Sequence, residues 1–286
     1  MIIKPRIRGF LCTTAHPAGC AAEVDEQIRI VQSAGRIQGG PRRVLIIGAS
    51  GGYGLATRVT AAFGCGADTL GVFFERPAEG NRTGSPGWYK SAAFTERAEA
   101  AGLYAANFAG DAFSAATKER VIEEIRSHLG QVDMVVYSLA AGARTLPDGS
   151  LARSALKPLG EPFSGTTIDL NTGEMRELSL EPAAPEEVAD TVKVMGGEDW
   201  ELWIAALLEA DVLARGCVTT NYTYLGSEVT WPIYHHGTIG KAKEDLDRAA
   251  GALAGSMAKI GGTAYVCGMK GLVTQAASAI PGMSLY

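Results

Sequence analysis

Tyr234 and Lys243 stand nine residues apart in the segment YHHGTIGKAK. A tyrosine hydroxyl can donate a proton toward an oxygen that gains negative charge as a hydride arrives. Its ordinary pKa of about 10 is high for that task. A nearby ammonium favours the phenolate and lowers that value, and it can also hydrogen-bond a ribose. The spacing constrains the backbone. In one straight helix, residues nine apart lie on opposite faces, about 13 Å apart along the axis. Gly237 and Gly240 are poor helix residues. Tyr234 is therefore expected ahead of a helix, with Lys243 in its first turns. Lys241 is the competing cation.

Other groups nearby read as less active. His235 and His236, like His16 and His128, read as residues that pack or face solvent. No carboxylate or cysteine stands at ligand spacing beside them, so no metal site is expected. Tyr222 and Tyr224 close an apolar run in TNYTYLG. Alternation puts both on one strand face, where either can reach a site at the strand's end.

A second group of residues binds rather than reacts. Gly48, Ala49, Ser50, Gly51, Gly52, Tyr53 and Gly54 follow directly on the apolar run RVLII. Gly48 permits a tight turn, Gly52 lets backbone approach a pyrophosphate, and Gly54 lets a helix pack closely on a sheet. The following helix start offers N–H donors and the positive end of a dipole. Glycines alone carry little weight in a chain with 36 of them. The context of strand, loop and helix carries more, as does an acid at the end of a second strand. That acid is Glu75, in FFERP. Its carboxylate can accept from ribose hydroxyls and would repel a 2′-phosphate, which favours NADH; Arg76 beside it pulls the other way. Asp111 and Ala112 follow a third strand, and Leu139 and Ala140 a fourth, at the carboxyl edge where such sheets bind ligands.

These groups need a scaffold. The strands expected are Arg43–Ile47, 68–74, 104–108, 132–138, 217–224 and 263–268. The helices expected include one after Gly54, 114–129, one around 200–209, and 241–257. Strands alternating with helices imply βαβ units. The fold class is α/β, a doubly wound parallel sheet of Rossmann type. Val24, Ile28 and Val31 mark an amphipathic helix in the N-terminal extension, residues 1–41. Residues 79–87 (EGNRTGSPG) read as a surface loop. Residues 141–190 read as an insertion near the site, carrying a β-hairpin of 166–170 and 174–180 around NTG. The whole, 1–286, reads as a single reductase domain.

Bulk composition excludes several classes. Net charge is −5, with 26 basic against 31 acidic residues and no basic stripe, so a nucleic-acid partner is not expected. The cysteines (Cys12, Cys20, Cys65, Cys217 and Cys267) are odd in number and scattered, which argues against a disulfide framework or zinc site. The opening MIIKPRIRGF lacks the apolar run of a signal peptide, and no stretch is long enough to span a bilayer. A cytoplasmic location without membrane insertion is expected.

The sequence resembles the family of trans-2-enoyl-CoA reductases and V-type enoyl-acyl-carrier-protein reductases, relatives of the short-chain dehydrogenases. The segments that carry the likeness are IIKPRIRGFLCTTAHPAGC, RVLIIGASGGYGLATR, GVFFERP, YSLAAGART, NYTYLGSEVTWPIYHHGTIGKAKEDL and GLVTQAASAIPG. Tyr-x8-Lys sets this family apart from ordinary short-chain dehydrogenases, which use Tyr-x3-Lys, and from other enoyl reductases, which use Tyr-x6-Lys. The resemblance implies reduction of the C2=C3 bond of an enoyl-CoA or enoyl-acyl-carrier-protein with NADH, in fatty-acid synthesis, by a monomer without metal. It implies Tyr234 as proton donor, Lys243 rather than Lys241 at the cofactor, and Tyr224 at the substrate. It implies NADH contacts from residues 48–53, Phe74, Glu75, Asp111, Ala112, Leu139, Ala140, Leu272, Val273 and Thr274. Family members continue past Tyr286, so the chain is expected to be incomplete at its C-terminal end. The competing readings are a ketoacyl or carbonyl reductase using the same pair, and a regulatory module that binds NADH without chemistry.

Overall fold

The structure is a computed structural model and describes residues 3–272 other than 5, 9, 10, 13, 169–171 and 225. The strands are β1 (Ile7–Arg8), β2 (Leu11–Cys12), β3 (Arg43–Ile47), β4 (Asp68–Phe73), β5 (Ala105–Ala109), β6 (Val132–Tyr137), β7 (Ala143–Thr145), β8 (Leu151–Arg153), β9 (Phe163–Ile168), β10 (Met175–Leu180), β11 (Leu213–Thr223) and β12 (Thr263–Gly268). The helices are α1 (Pro17–Ser33), α2 (Gly52–Val59), α3 (Pro86–Ala100), α4 (Ala115–Glu124), α5 (Pro185–Met195), α6 (Glu198–Glu209) and α7 (Thr238–Met257). α2 and α4 each run on into a π-type turn.

Six strands form one sheet in the order β12-β11-β6-β3-β4-β5. Ranked by chain position this is the doubly wound order, reversing between β3 and β6. β3 is parallel to both its neighbours, with Leu45 level with Leu70 on β4 and Val135 on β6. Its run Val44–Ile47 is wholly buried. A strand covered on both faces needs a continuous β-branched and aliphatic sequence, which RVLII supplies. The expected fold class is borne out.

The chain divides into two compact units. The first comprises Met1–Leu139, Trp203–Thr220 and Ala254–Ala264. It holds β3 to β6, and α1, α2 and α3 share a core of Val24, Ile28, Leu55, Val59, Ala93 and Phe94. The second comprises Ala140–Leu202, Asn221–Leu253 and Tyr265–Tyr286. It contains the antiparallel ladder β7–β8, the hairpin β9–β10 and α5. Here Arg144 is buried and donates to the Lys193 carbonyl and to Glu198, 2.6 Å away.

Two helices were not anticipated. The segment 79–87 is a turn only in its first part. Ser85 and Pro86 begin α3, with proline in the first turn where its missing N–H is harmless. α5 begins in the same way, at Ala184-Pro185, inside the segment expected to be loop and hairpin. The hairpin's first strand begins at Phe163, three residues ahead of the expected start. Residues 169 and 170 of that expectation lie outside the described residues.

Candidate active site

β3 delivers its chain into the glycine loop at the point where the strand order reverses. Gly48 has φ +90°, and a Cβ there would stand 2.2 Å from the Ser138 carbonyl oxygen. A Cβ on Gly54 would stand 1.9 Å from the Gly48 carbonyl oxygen. No other residue fits either place unless the backbone moves. The N–H groups of Gly48 and Ala49 both donate to the Val72 carbonyl, at 2.9 and 3.0 Å. Gly51 caps α2 without a side-chain bond, so no cap side chain competes for the first backbone N–H groups of the helix.

The next strand end adds an anchored acid. Glu75 Oε1 accepts from Ser50 Oγ at 2.7 Å, and Oε2 accepts from Ser85 Oγ. A Cβ on Gly87 would stand 2.0 Å from Glu75 Oε1, so the glycine makes room for the carboxylate at the start of α3. Phe74 is 82% exposed, unusual for a large apolar residue beside a loop of this kind. Beyond β5, Asp111 Oδ1 accepts from the Phe113 N–H at 3.0 Å. Ala112 is buried, and its carbonyl accepts from Trp203 Nε1 at 3.0 Å and Lys118 Nζ at 3.1 Å. Leu139 is half-buried just past β6. The first unit thus sets residues 48–53, Glu75, Asp111, Ala112 and Leu139 at the ends of four adjacent parallel strands.

The second unit gathers Tyr224, Tyr234 and Lys243. The Tyr224 and Tyr234 rings lie 4.6 Å apart at 38°. Lys243 Nζ stands 4.9 Å from the Tyr234 ring centre and 5.1 Å from that of Tyr224, and it donates to Thr223 Oγ1. Burial pushes the Lys243 ammonium down from 10.5 to about 8, with Asp247 opposing. Lys241 is exposed and bonded to Glu244 at 2.8 Å.

The backbone explains how residues nine apart meet. α7 begins at Thr238, three residues before the expected start, and Tyr234 precedes it. The Tyr234 carbonyl accepts the N–H of Gly237 at 3.2 Å and of Gly240 at 2.9 Å, winding the turn tightly onto the helix. A Cβ on Gly240 would stand 1.8 Å from the His235 carbonyl oxygen. On Gly237 it would stand 2.6 Å from the carbonyl oxygens of both Ile233 and Lys157. Lys157 also accepts the Thr238 N–H at 3.0 Å, holding the helix start from outside. Replacing Gly240 with alanine is expected to cost at least about 2 kcal/mol of stability, because only backbone can yield. A thermal melt checks this; an unchanged midpoint would contradict the tight turn.

The remaining candidates fall aside. His235 and His236 are exposed, their rings 5.5 and 5.8 Å from that of Trp231. Among the described residues no group of three metal-ligating side chains converges. Cys20, Cys65, Cys217 and Cys267 form no disulfide. Leu272 is 49% exposed, and Gly271 before it approaches the Tyr224 ring closely. Val273 and Thr274 lie outside the described residues, and Ala140 is exposed. Two contributors escaped the sequence reading. Thr223 alternates away from Tyr222 and Tyr224, yet β11 ends at Thr223 and the alternation ends with it. The signal that could have found Ser85 is its place before Pro86, a pairing that starts helices.

Known proteins resemble the chain over its whole length. Residues 2–80 match the family model described as the NAD(P)H binding domain of trans-2-enoyl-CoA reductase. Residues 82–286 match the trans-2-enoyl-CoA reductase catalytic region. An enoyl-[acyl-carrier-protein] reductase [NADH] of Shewanella piezotolerans is 58% identical over the whole of this chain and 72% of its own length. The crystal structure of Clostridium acetobutulicum trans-2-enoyl-CoA reductase in complex with NADH superposes with TM-score 0.96 at 42% identity, covering all of this chain and 72% of that one. The Treponema denticola trans-2-enoyl-CoA reductase in complex with NAD gives TM-score 0.93 at 47% identity, with the same coverage.

Proposed function

The chain belongs to the trans-2-enoyl-CoA reductase family, and on that premise we propose that it reduces the C2=C3 double bond of a trans-2-enoyl thioester with NADH. The observation that carries the chemistry is the cluster of Lys243, Tyr234 and Tyr224, one half-buried cation against two phenol rings. The observation that carries the cofactor is a glycine loop whose Gly48 and Gly54 have no room for a Cβ, beside an acid anchored by Ser50 and Ser85.

NADH, bound over residues 48–53, supplies a hydride to C3 of the substrate. The chain's own residues do the rest. Glu75 accepts from the adenosine ribose hydroxyls, Phe74 covers the adenine, and Asp111 and Ala112 frame it from the next strand end. Leu139 would line the nicotinamide half, and cofactor roles for Ala140, Leu272, Val273 and Thr274 rest on the family likeness alone. Negative charge grows on the thioester oxygen as C3 accepts the hydride. Tyr234, aided by Tyr224, donates a hydrogen bond to that oxygen. C2 then takes a proton from Tyr234 or from solvent. Lys243, steadied by Thr223, holds the nicotinamide ribose and keeps positive charge against the Tyr234 ring. The enzyme acts as a monomer in the cytoplasm on enoyl thioesters of fatty-acid synthesis. Among the described residues no helix is long and apolar enough to cross a membrane.

The test is loss of NADH absorbance with crotonyl-CoA, with acetoacetyl-CoA and without acceptor. Oxidation with the enoyl thioester alone is expected. Oxidation with the ketoacyl thioester instead would overturn the reading in favour of carbonyl reduction. Glu75 gives a second expected result. Glu75→Ala should narrow the preference for NADH over NADPH in kcat/KM by about tenfold or more, since a repelling charge is removed from the 2′ position. An unchanged ratio would separate Glu75 from cofactor choice.

A further inference from the structure

Arg58 lies in the last turn of α2 and is wholly buried. Its Nε donates to Thr69 Oγ1 at 3.1 Å, Nη1 to Asn107 Oδ1 at 2.6 Å and Nη2 to the Ala106 carbonyl at 2.7 Å. The Phe94 ring covers it at 4.4 Å. All four partners are neutral. Arg58 is the only charged residue of α2, and β5 has none. Asp68, at the start of β4, accepts the Tyr104 N–H, and Lys90 and Arg97 on α3 pair with Glu23 and Asp25. Burial lowers the guanidinium from 12.5 to about 9, which leaves it charged at neutral pH. A buried cation without an anion is costly, and an apolar side chain would fill the same space more cheaply.

The position of the charge supplies a reason for it. A Cβ on Gly71 would stand 2.5 Å from Arg58 Nη1 and 2.8 Å from the Ala49 Cβ. Guanidinium and Ala49 are therefore no more than about 5 Å apart, with only a glycine between them. Ala49 belongs to the loop that receives the pyrophosphate in the function proposed above. We infer that Arg58 is a buried counter-charge for the cofactor's dianionic pyrophosphate, held beneath the phosphate loop where solvent screens it little. The ligand supplies the anion that the described partners of Arg58 do not. This inference rests on the reading of the loop as a cofactor site.

The test compares ADP-ribose, which carries the pyrophosphate, with adenosine, which does not. Asn107→Asp places a carboxylate against Arg58 with almost no change of shape, at an exposed edge-strand position where the fold tolerates it. Arg58→Gln removes the charge and keeps polar atoms for Asn107 and Ala106. Both variants are expected to bind ADP-ribose about tenfold more weakly while adenosine affinity stays within about twofold, because only the charge term changes. ADP-ribose binding unchanged in both variants would overturn the inference. So would equal weakening of both ligands, which marks Arg58 as a structural cross-link. If Arg58→Gln does not fold, Asn107→Asp decides by itself. Failure of the unmodified chain to bind ADP-ribose would instead remove the cofactor reading, a distinct result.

Discussion

Tyr234→Phe is expected to lower kcat by about 100- to 1,000-fold, the loss seen when one preorganised donor to a developing oxyanion is removed. NADH affinity should change by no more than about threefold, because the interaction exists only as charge grows on the substrate. The fold gives no reason for wider damage. The backbone of Tyr234 is held by its carbonyl bonds to Gly237 and Gly240, which the ring does not make. The ring keeps its packing on Tyr224 and under the Lys243 ammonium, since phenylalanine presents the same face. Steady-state rates and fluorescence titration of NADH separate the two quantities. Retained turnover would take Tyr234 out of the chemistry and leave Tyr224 as the candidate donor.

Lys243→Met is expected to abolish most activity and yet stabilise the unliganded chain. Lys243 loses much of its hydration on folding, and that loss pushes its pKa from 10.5 to about 8. A shift of that size corresponds to roughly 3 kcal/mol at neutral pH. Its direction follows from proton counting. Between pH 8 and 10.5 the unfolded chain holds a proton that the folded chain has released. Stability from this group therefore rises with pH across that window, and the penalty is complete below it. Losing the bond to Thr223 returns about 1 kcal/mol. The net expectation is a melting temperature several degrees higher at pH 7, and no stabilising rise toward alkaline pH. Catalysis responds in the opposite sense. The ammonium is needed, so kcat/KM of the unmodified chain should fall as pH rises through about 8. A lower melting temperature in Lys243→Met would mean that the buried ammonium is offset by its neighbours and carries no folding cost.

The strands of the sheet were readable because burial on both faces demands runs such as RVLII and DTLGVF, which few other structures would use. β11 was read short at its start, where Arg215 and Gly216 interrupt the apolar pattern and Gly216 takes φ +77°. α3 and α5 were hidden by composition. One opens in a glycine- and proline-rich stretch, the other among several prolines. In each case the proline is a helix-starting residue rather than a loop marker. In the candidate site, the glycine loop, Glu75 and the Tyr–Lys pair were legible because each depends on residue type at fixed spacing. The wound turn that joins the pair was legible only as a requirement. Gly237 and Gly240 met it by allowing carbonyl contacts that any side chain would block. Arg58 was not legible. A single arginine in GYGLATRV reads as a solvent-facing helix residue, and only the missing Cβ of Gly71 opens the space it fills.

The central claim concerns which carbon receives the hydride. It is tested most directly by running the reaction in ordinary water with crotonyl-CoA and NADH deuterated at C4 of the nicotinamide, on the face transferred. Deuterium at C3 of butyryl-CoA, with none at C2, is the predicted result. Deuterium on a carbinol carbon, or an unlabelled product, would contradict it.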